Sequence, residues 1–550
     1  MSVLRCAFLF ALLAVDCRAR VPRAPLAHAP TSTQIDQQLP AILRDRTPYL
    51  PDYSYAGYHF GERSLPVLAA TLDVTSFGAH PDDTVDDTTA IQAALRAANQ
   101  QSGAVVLHFP KGRFTISQTL YLERSHLVLQ GSGSGDGGTV LVMTKSLSEL
   151  PRDPRIEKLE AYLVKNDKRV DGKPFSPFSW TGGLLWTRVA QPLTEPALTT
   201  AISGRRGEHR VTLSSSLALL PGEIIRLRWF NHGGNDSPLL HHIFGLSRID
   251  FGPRLSGSEA AVASEEATIA AVNDRTLTLV QPLLHDIEPE FAVELSRPQF
   301  LEEVGIEHLA IEFPNQPYAG HHLERGNNGI YLTGLSHSWV RDVRVENADS
   351  ALLSDECANV TLTQIDVRGR NGHYGVHLGD TFDLLLNDFR IEAEEFHSVS
   401  FNTHARADVV TRGEIFRPSL DQHRGANQQN LFDDLSTRED RGKSLLFEHG
   451  GADYYGPTSA AFNTFWNVHV EFSSNAPSSI LLGRIEDAGP ARLIGLSANR
   501  QLELDYARAE VEDLGQAELG VPSLYRYQLE RRLNAERADQ GSLPNTNAPR

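Results

Sequence analysis

From Val304 onward the apolar residues follow two periods at once. Within short segments they alternate with polar residues, the pattern of a half-buried strand. Between segments they return every twenty-odd residues. Val345, Val367, Ile391 and Ile415 lie 22, 24 and 24 apart, and Leu332, Leu353, Leu378 and Phe401 lie 21, 25 and 23 apart. This period predicts short strands stacked in parallel coils, each burying its inward side chains on its neighbours. FNTFWNVHVEF (Phe462 to Phe472) and SSILLG continue the stack. The predicted class is all-β: a right-handed parallel β-helix with an N-terminal helix cap and a large mixed insertion.

The flanking text reads differently. Leu72 to Val74 is a short strand, followed by a turn with Gly78 and paired aspartates. A helix follows, with Asp87 or Thr88 near its N-cap and Ile91, Ala94, Leu95 and Ala98 on its apolar face. Gly103 ends it and AVVLHFP begins a strand. Residues 145–300 mix charged helical text with β-rich text and read as an insertion that leaves the coil and returns near Val304. Such excursions form groove walls. His241 and His242 within it read as structural. The tail from Pro522 holds an amphipathic helix, SLYRYQLERRL, expected to cover the open end of the stack.

The expected division is a signal peptide over 1–19, an extension over 20–70, the β-helix over 71–505, and a tail over 506–550. The export signal rests on Arg5 followed by an apolar run from Cys6 to Val15, too short to span a bilayer. A secreted or periplasmic location follows. No later segment is long and apolar enough to be transmembrane. With the signal removed, Cys357 is the one remaining cysteine and reads as a small buried apolar residue. Tyr53, Tyr55 and Tyr58 in the extension read as a cover for apolar surface.

Composition narrows the partners. The chain has 550 residues, 41% of them hydrophobic and 22% charged, with mean hydropathy -0.28 and formal net charge -18. That charge argues against nucleic acid, which needs a basic face. It leaves room for an anionic ligand in a locally basic groove. One stretch runs against the global charge. Phe401 to Asn430 contains His404, Arg406, Arg412, Arg417, His423 and Arg424.

DVTSFGAHPDDTVDDTTAIQAAL, followed by GAVVLHFPKGRFTI, resembles the opening of the pectate-lyase-like and polygalacturonase-like right-handed parallel β-helices. The resemblance is strongest over residues 72–117. It implies the fold, not the reaction, because tailspikes, lyases, hydrolases and epimerases share it. The sequence lacks the polygalacturonase pattern of an Asn-Thr-Asp triplet followed by an Asp pair: FNTHARAD has His404 at the triplet's Asp.

Stacking turns equivalent positions into neighbours. Asp355 falls two after Leu353 and Asp380 two after Leu378, on adjacent coils. Tyr374 and His397 align 23 apart, and His404 follows Phe401 by three. His373, Tyr374, His377, Asp380, His397 and His404 are therefore expected in one region. Two chemistries fit. One is β-elimination from a uronic-acid polymer. Arg neutralises the substrate carboxylate, and His or Tyr removes the adjacent proton and protonates the leaving oxygen. The expected catalytic set is His404, Tyr374, His377, His397 and Arg406, with His373, Arg412, Arg417, His423 and Arg424 binding substrate. The other is glycoside hydrolysis by paired carboxylates, from Asp355, Asp380 and Asp421. Asp355, Asp380 and Glu356 also admit a calcium ion. A non-catalytic tailspike-like carbohydrate binder is the third class. The expected partner is an acidic polysaccharide. The sequence names no certain cofactor or metal and no oligomeric state.

Overall fold

Successive rungs of a parallel coil build the protein. The computed structural model describes residues 40–541 except 46–48, 191–193, 248–249, 258–259, 442–445, 449 and 516–518. The export run and the end of the tail lie outside the described residues. One long parallel sheet runs in the order Leu72–Asp73, Val105–His108, Leu127–Gln130, Gly305–Glu312, Trp339–Glu346, Thr361–Arg368, Leu385–Ile391, Val409–Phe416, Leu431–Glu439, Thr464–Phe472, Ala491–Ile494 and Ala509–Glu512. A second parallel sheet faces it. It contains Leu120–Leu122, then β1 (Leu185–Thr187), β2 (Asn328–Ser336), β3 (Ser350–Ala358), β4 (Gly372–Phe382), β5 (Glu395–Asn402) and β6 (Leu420–His423), then Phe447–Glu448. Parallel strands joined by such crossovers wind right-handed, and the architecture is a right-handed parallel β-helix. Val345 pairs with Val367, Val367 with Ile391 and Ile391 with Ile415, and all four lie in the buried core between the sheets.

The second predicted column slips by one residue at a single rung. Leu332 pairs with Ser354, and Ser354 with Leu378. Leu353 pairs instead with Tyr331 and His377 and points outward. Helix α2 (Pro154–Lys165) and the residues beside it cover the outer face there, so Leu353 joins Leu147, Ile156, Phe178, Trp186, Tyr331 and Tyr374 in a second apolar layer. The hydrophobicity of Leu353 reports that cover rather than the interior, and one residue of register exchanges faces.

Bends within the long-sheet strands and corners between strands are both made by residues in the left-handed region. Asp342, Gln364, Asp388, Arg412, Asp434 and Asn467 sit at φ between 50° and 56° on six successive rungs of the long sheet. Asn359, Asp383, Ala407 and Gln429 form a second such column at φ 52° to 55°. A left-handed conformation costs roughly 1–2 kcal/mol for a non-glycine residue. The rung-to-rung ladder offsets that cost.

The N-terminal end is closed by α1 (Thr88–Asn99), whose Ile91, Ala94, Leu95 and Ala98 enter the core as predicted. The aspartates before it make turns: Asp86 Oδ1 accepts from Thr88 N at 3.0 Å and Asp87 Oδ1 from His80 N at 2.8 Å. The C-terminal helix α3 (Leu524–Gly541) does not cover the open end. Leu524 and Tyr525 pack with Tyr53 against Leu385, Val409, Leu431 and Trp466 on the flank of the long sheet. Leu524 N donates to the buried Asp433 Oδ1 at 2.8 Å, fixing the start of the helix there. A helix with an apolar face seeks the nearest uncovered apolar stripe, and the outward Leu–Val–Leu column supplies it. Tyr53, Tyr55 and Tyr58 are buried. The coil also runs past residue 505, through Ala509–Glu512.

Residues 145–300 do not leave the stack as one block. The chain returns for the single rung β1, which pairs with both Leu120–Leu122 and β2. It then builds a closed antiparallel barrel of Thr199–Gly204, Arg210–Leu213, Ile224–Phe230, Ala261–Asn273, Thr276–Leu279 and Ala292–Ser296, with a core of its own. Cys357 is buried, and His242 packs within the barrel region, hydrogen-bonded by Asp286 N at 3.2 Å.

Candidate functional site

The outward face of β2–β6 is flanked by both excursions, α2 on one side and the barrel on the other. Alternation fixes which side chains stand on it. One column is Tyr331, Leu353, His377, Ser400 and Asp421. The next is Thr333, Asp355 and Gly379, continued by Asn402 and His423. Tyr374 pairs with His397 as the spacing predicted. The structure thus gathers His373, Tyr374, His377, His397, Asp421 and His423 on adjoining strands.

Where α2 and the barrel meet β2 and β3 there is a cavity of about 510 Å³. Four arginines line it, Arg155, Arg188, Arg226 and Arg297, against two carboxylates, Glu195 and Glu356. Each of the four arginines has a carboxylate partner, and Arg188 and Arg226 have two each. Arg226 is tied to Glu195 and Glu266, both at 2.6 Å, and Arg188 to Glu123 at 2.8 Å. Arg155 is held more loosely, 3.9 Å from Glu356, with its guanidinium 5.6 Å above the Tyr331 ring.

Asp355 and His377 meet over Gly379, beside this cavity. A Cβ on Gly379 would stand 2.5 Å from His377 Cε1, 3.2 Å from His377 Nε2 and 2.9 Å from Asp355 Oδ1. Glycine is what lets the two side chains converge. The Tyr331 hydroxyl donates to Asp355 Oδ2 at 2.7 Å. Burial pushes the Asp355 carboxyl up to about 7, although Arg155 and the Tyr331 hydrogen bond pull the other way. Burial, then the nearby His423, hold the His377 imidazole neutral, lowered to about 3. Asp380 behaves oppositely to Asp355. Burial would raise it, but Arg406, His404 and Arg226 hold its carboxyl below the usual range. Asp380 lies one residue past Gly379, at a corner with φ 46°, so Asp355 faces Gly379 rather than Asp380 as the slipped register had implied.

The cations of Phe401 to Asn430 are used mostly within the fold. Arg406 is buried and donates to Glu266 of the barrel, to Asp380 at 2.8 Å and to His404 O at 2.6 Å. It clamps the barrel to the coil and has no face for substrate. Arg412 is a left-handed corner residue bound to Asn387 at 2.9 Å and Asp388 at 2.5 Å on the long sheet, away from the groove. Arg417 bridges Asp440 at 2.6 Å and Glu394. Arg424 donates to Gly456 O at 2.7 Å and pairs with Asp487 at 3.0 Å. The cationic bias of this stretch therefore reflects rung-to-rung ion pairs. Half-buried His404 stands beside Asp380. Its imidazole is lowered by burial and Arg406 and Arg254, against Asp380.

A histidine cluster spans the starts of β4 and β5, at His373 and His397, and β6, at Asp421 and His423, continuing the same two columns. His373 Nδ1 is 3.0 Å from Glu324 Oε1. Asp421 Oδ2 lies 3.1 Å from His397 Nδ1 and 2.7 Å from His423 Nδ1. Asp421 is held well below the usual carboxylate range, because His397 and His423 outweigh the penalty of burial. His321, His322, Glu324 and Phe396 were not singled out in the sequence. His321 stacks on Phe396 at 4.0 Å and 11°, and Phe396 is 50% exposed, an aromatic platform at the rim. The adjacent pair His321–His322 was the available signal. Two triads, His321–His322–His373 and His397–Asp421–His423, each bring their ligand atoms within 4.8 Å of one another. Asp355, Asp380 and Glu356 form no such group among the described residues. Asp380 is paired instead with Arg406 at 2.8 Å and Glu356 with Arg155 at 3.9 Å.

Residues 71–150 match the family described as rhamnogalacturonase A/epimerase, pectate lyase-like. No curated protein matches the chain. Among solved structures, the tailspike protein gp49 from Pseudomonas phage LKA1 is similar at 13% identity, covering 81% of each chain with TM-score 0.43. The mannuronan C-5 epimerase AlgE4 A-module of Azotobacter vinelandii is similar at 11% identity, covering 81% of this chain and 95% of that one, TM-score 0.36. A Family 28 exopolygalacturonase of Yersinia enterocolitica is similar at 12% identity, covering 83% and 76%, TM-score 0.37. No helix among the described residues is long and apolar enough to cross a membrane.

Proposed function

We propose that the protein is an exported enzyme that cleaves an acidic, uronate-containing polysaccharide by β-elimination in the groove between α2 and the barrel. The observation that carries this reading is the convergence of a neutral histidine and a protonatable aspartate over Gly379, beside a four-arginine cavity. Elimination needs three things. A cation must offset the charge that develops on the substrate carboxylate, and Arg155 is the least committed guanidinium in the cavity. A base must take the proton on the carbon next to that carboxylate, and His377 Nε2 faces the space above Gly379. An acid must protonate the departing glycosidic oxygen, and a carboxyl raised to about 7 carries its proton up to neutrality. The column from Thr333 to His423 spans four rung steps, about 19 Å at the usual strand spacing. That length accommodates several sugars, with Phe396 to stack on one of them.

Hydrolysis is the second reading, and one observation favours it. Asp355 and Asp380 are displaced in opposite directions, one protonated and one ionised near neutrality. That split defines an acid and a base for glycoside hydrolysis. Both readings use Asp355 as the acid and differ in the base. Incubation with a panel of polyuronates, read by ultraviolet absorbance and by reducing ends, separates them. Elimination creates an absorbing unsaturated uronate, and hydrolysis gives reducing ends alone. His377→Ala should abolish the first activity and Asp380→Asn the second. Cleavage that survives both substitutions and Asp355→Asn would place the reaction elsewhere.

A further inference from the structure

The histidine cluster contains more imidazole than the fold can satisfy. His373 and His397 are buried, and neither ring nitrogen of either has a hydrogen-bond partner among the described residues. His321 Nε2 and His322 Nδ1 are orphaned as well. A neutral imidazole always carries one N–H, and a buried donor without a partner costs roughly 1–3 kcal/mol. His397 approaches Asp421 Oδ2 at 3.1 Å, yet the approach is too bent to be a hydrogen bond. A His–Asp pair explains His423 alone.

We propose that His397, Asp421 and His423 bind a divalent transition ion of the zinc type. Both imidazole Nδ1 atoms converge on one carboxylate oxygen, at 3.1 and 2.7 Å. Tetrahedral ligation at 2.0–2.1 Å sets neighbouring donors about 3.3 Å apart, close to the 3.1 and 2.7 Å of the two histidine–carboxylate approaches and within the 4.8 Å that bounds all three donors. Asp421 is already oriented by its surroundings. Ser400 Oγ donates to Oδ2 at 2.6 Å and Gly450 N to Oδ1 at 2.8 Å, the kind of support that fixes a ligating carboxylate. Gly450 also leaves the space: a Cβ there would lie 2.2 Å from His423 Nδ1 and 2.9 Å from His397 Cε1. Two imidazoles and one carboxylate select a borderline transition ion over calcium or magnesium, which take oxygen ligands. Three protein ligands leave a coordination position open. His373, with its ring centroid 5.5 Å from that of His397, belongs to the adjoining triad.

Asp421 and His423 stand at the far end of the two groove columns, and the test does not read activity, so the assignment stands or falls apart from the cleavage reaction. The full chain is stripped with a chelator, then titrated with Zn²⁺, Co²⁺ and Ca²⁺ while thermal midpoint and metal content are followed. Zn²⁺ and Co²⁺ should bind at one equivalent and raise the midpoint by several degrees, with visible Co²⁺ absorption bands, and Ca²⁺ should do neither. His397→Gln and Gly450→Ala should each weaken Zn²⁺ binding at least tenfold, while His373→Ala should retain it. Gly450→Ala removes no ligand, so it tests the geometry even if a ligand variant misfolds. Absence of stoichiometric uptake, equal stabilisation by Ca²⁺, or loss of binding in His373→Ala with His397→Gln unaffected would each overturn the assignment.

Discussion

Replacing Gly379 by alanine probes the groove floor with a single methyl group. The φ of Gly379 is not in the left-handed region, so the backbone accepts alanine, and the consequences fall on the neighbours. The new Cβ would stand 2.5 Å from His377 Cε1 and 2.9 Å from Asp355 Oδ1. Carbon atoms rest at about 3.5–4.0 Å, so the imidazole must retreat by about 1 Å. Misplacing a catalytic group by that much costs about 10²-fold in rate. Overpacking of this kind costs about 1–3 kcal/mol of stability, within reach of urea titration. Gly413→Ala is the control. Its Cβ would meet the Phe389 ring at 2.1 Å on the long sheet, giving a comparable stability loss away from the groove. The assay is turnover on the best polyuronate, by absorbance and by reducing ends. Gly379→Ala should lose about 10²-fold in kcat and Gly413→Ala should lose little. Equal turnover in the two variants would refute the assignment of His377 and Asp355 to the reaction.

Four further outcomes are expected. The alkaline limb of kcat/KM should fall as pH rises through about 7, where Asp355 loses the proton it must donate, and Asp355→Asn should remove activity at every pH. Arg155→Ala should lower kcat and kcat/KM together and make turnover less sensitive to salt, since the charge that develops on the substrate carboxylate has lost its cation. Arg406→Ala should destabilise the fold by about 3–5 kcal/mol, because Glu266 and Asp380 lose a buried partner, read as a shift in urea midpoint. His337, buried and stacked on His59 at 4.4 Å, is lowered to about 4 by burial and then by His59. The unfolded chain takes up that proton near pH 6.5 and the folded chain only near 4, so this stability is intact above 6.5 and lost as pH falls to 4. The wild type should therefore lose up to about 3 kcal/mol more than His337→Gln across that window, measured by denaturant titration at each pH.

What the sequence made legible was whatever a single periodicity controls. The column Val345–Val367–Ile391–Ile415 needs only inward packing, and the four apolar residues on one face of α1 need only a 3.6-residue repeat. Tyr374 and His397 could be paired because their rungs differ by one spacing alone. Leu353 defeated the same logic because two layers of apolar packing compete for it, and only the second layer depends on α2, far away in sequence. The site shows a similar limit. His373, His397, Asp421 and His423 were visible as residues of the right type on neighbouring rungs. Arg155, Arg188, Arg226 and Arg297 come from excursions whose docking no local pattern encodes. The charge of Arg406, Arg412 and Arg417 was visible, but their carboxylate partners sit one rung or one barrel away, so the stretch read as a ligand site. The left-handed corners were hidden because Asp, Gln, Arg and Asn occupy them interchangeably.

Those corners have a consequence for how such a protein changes. Each rung carries its own bends, written in its own residues, and borrows none from the ends of the coil. A whole rung can therefore be duplicated or lost without altering the cross-section, whereas a single added residue inside a strand would invert a face. Length becomes the one dimension free to vary, in steps of about 4.8 Å. The reach of the groove along a polymer is then counted in rungs, so a lineage could lengthen or shorten the stretch of chain it grips in discrete increments while the chemistry over Gly379 stayed where it is.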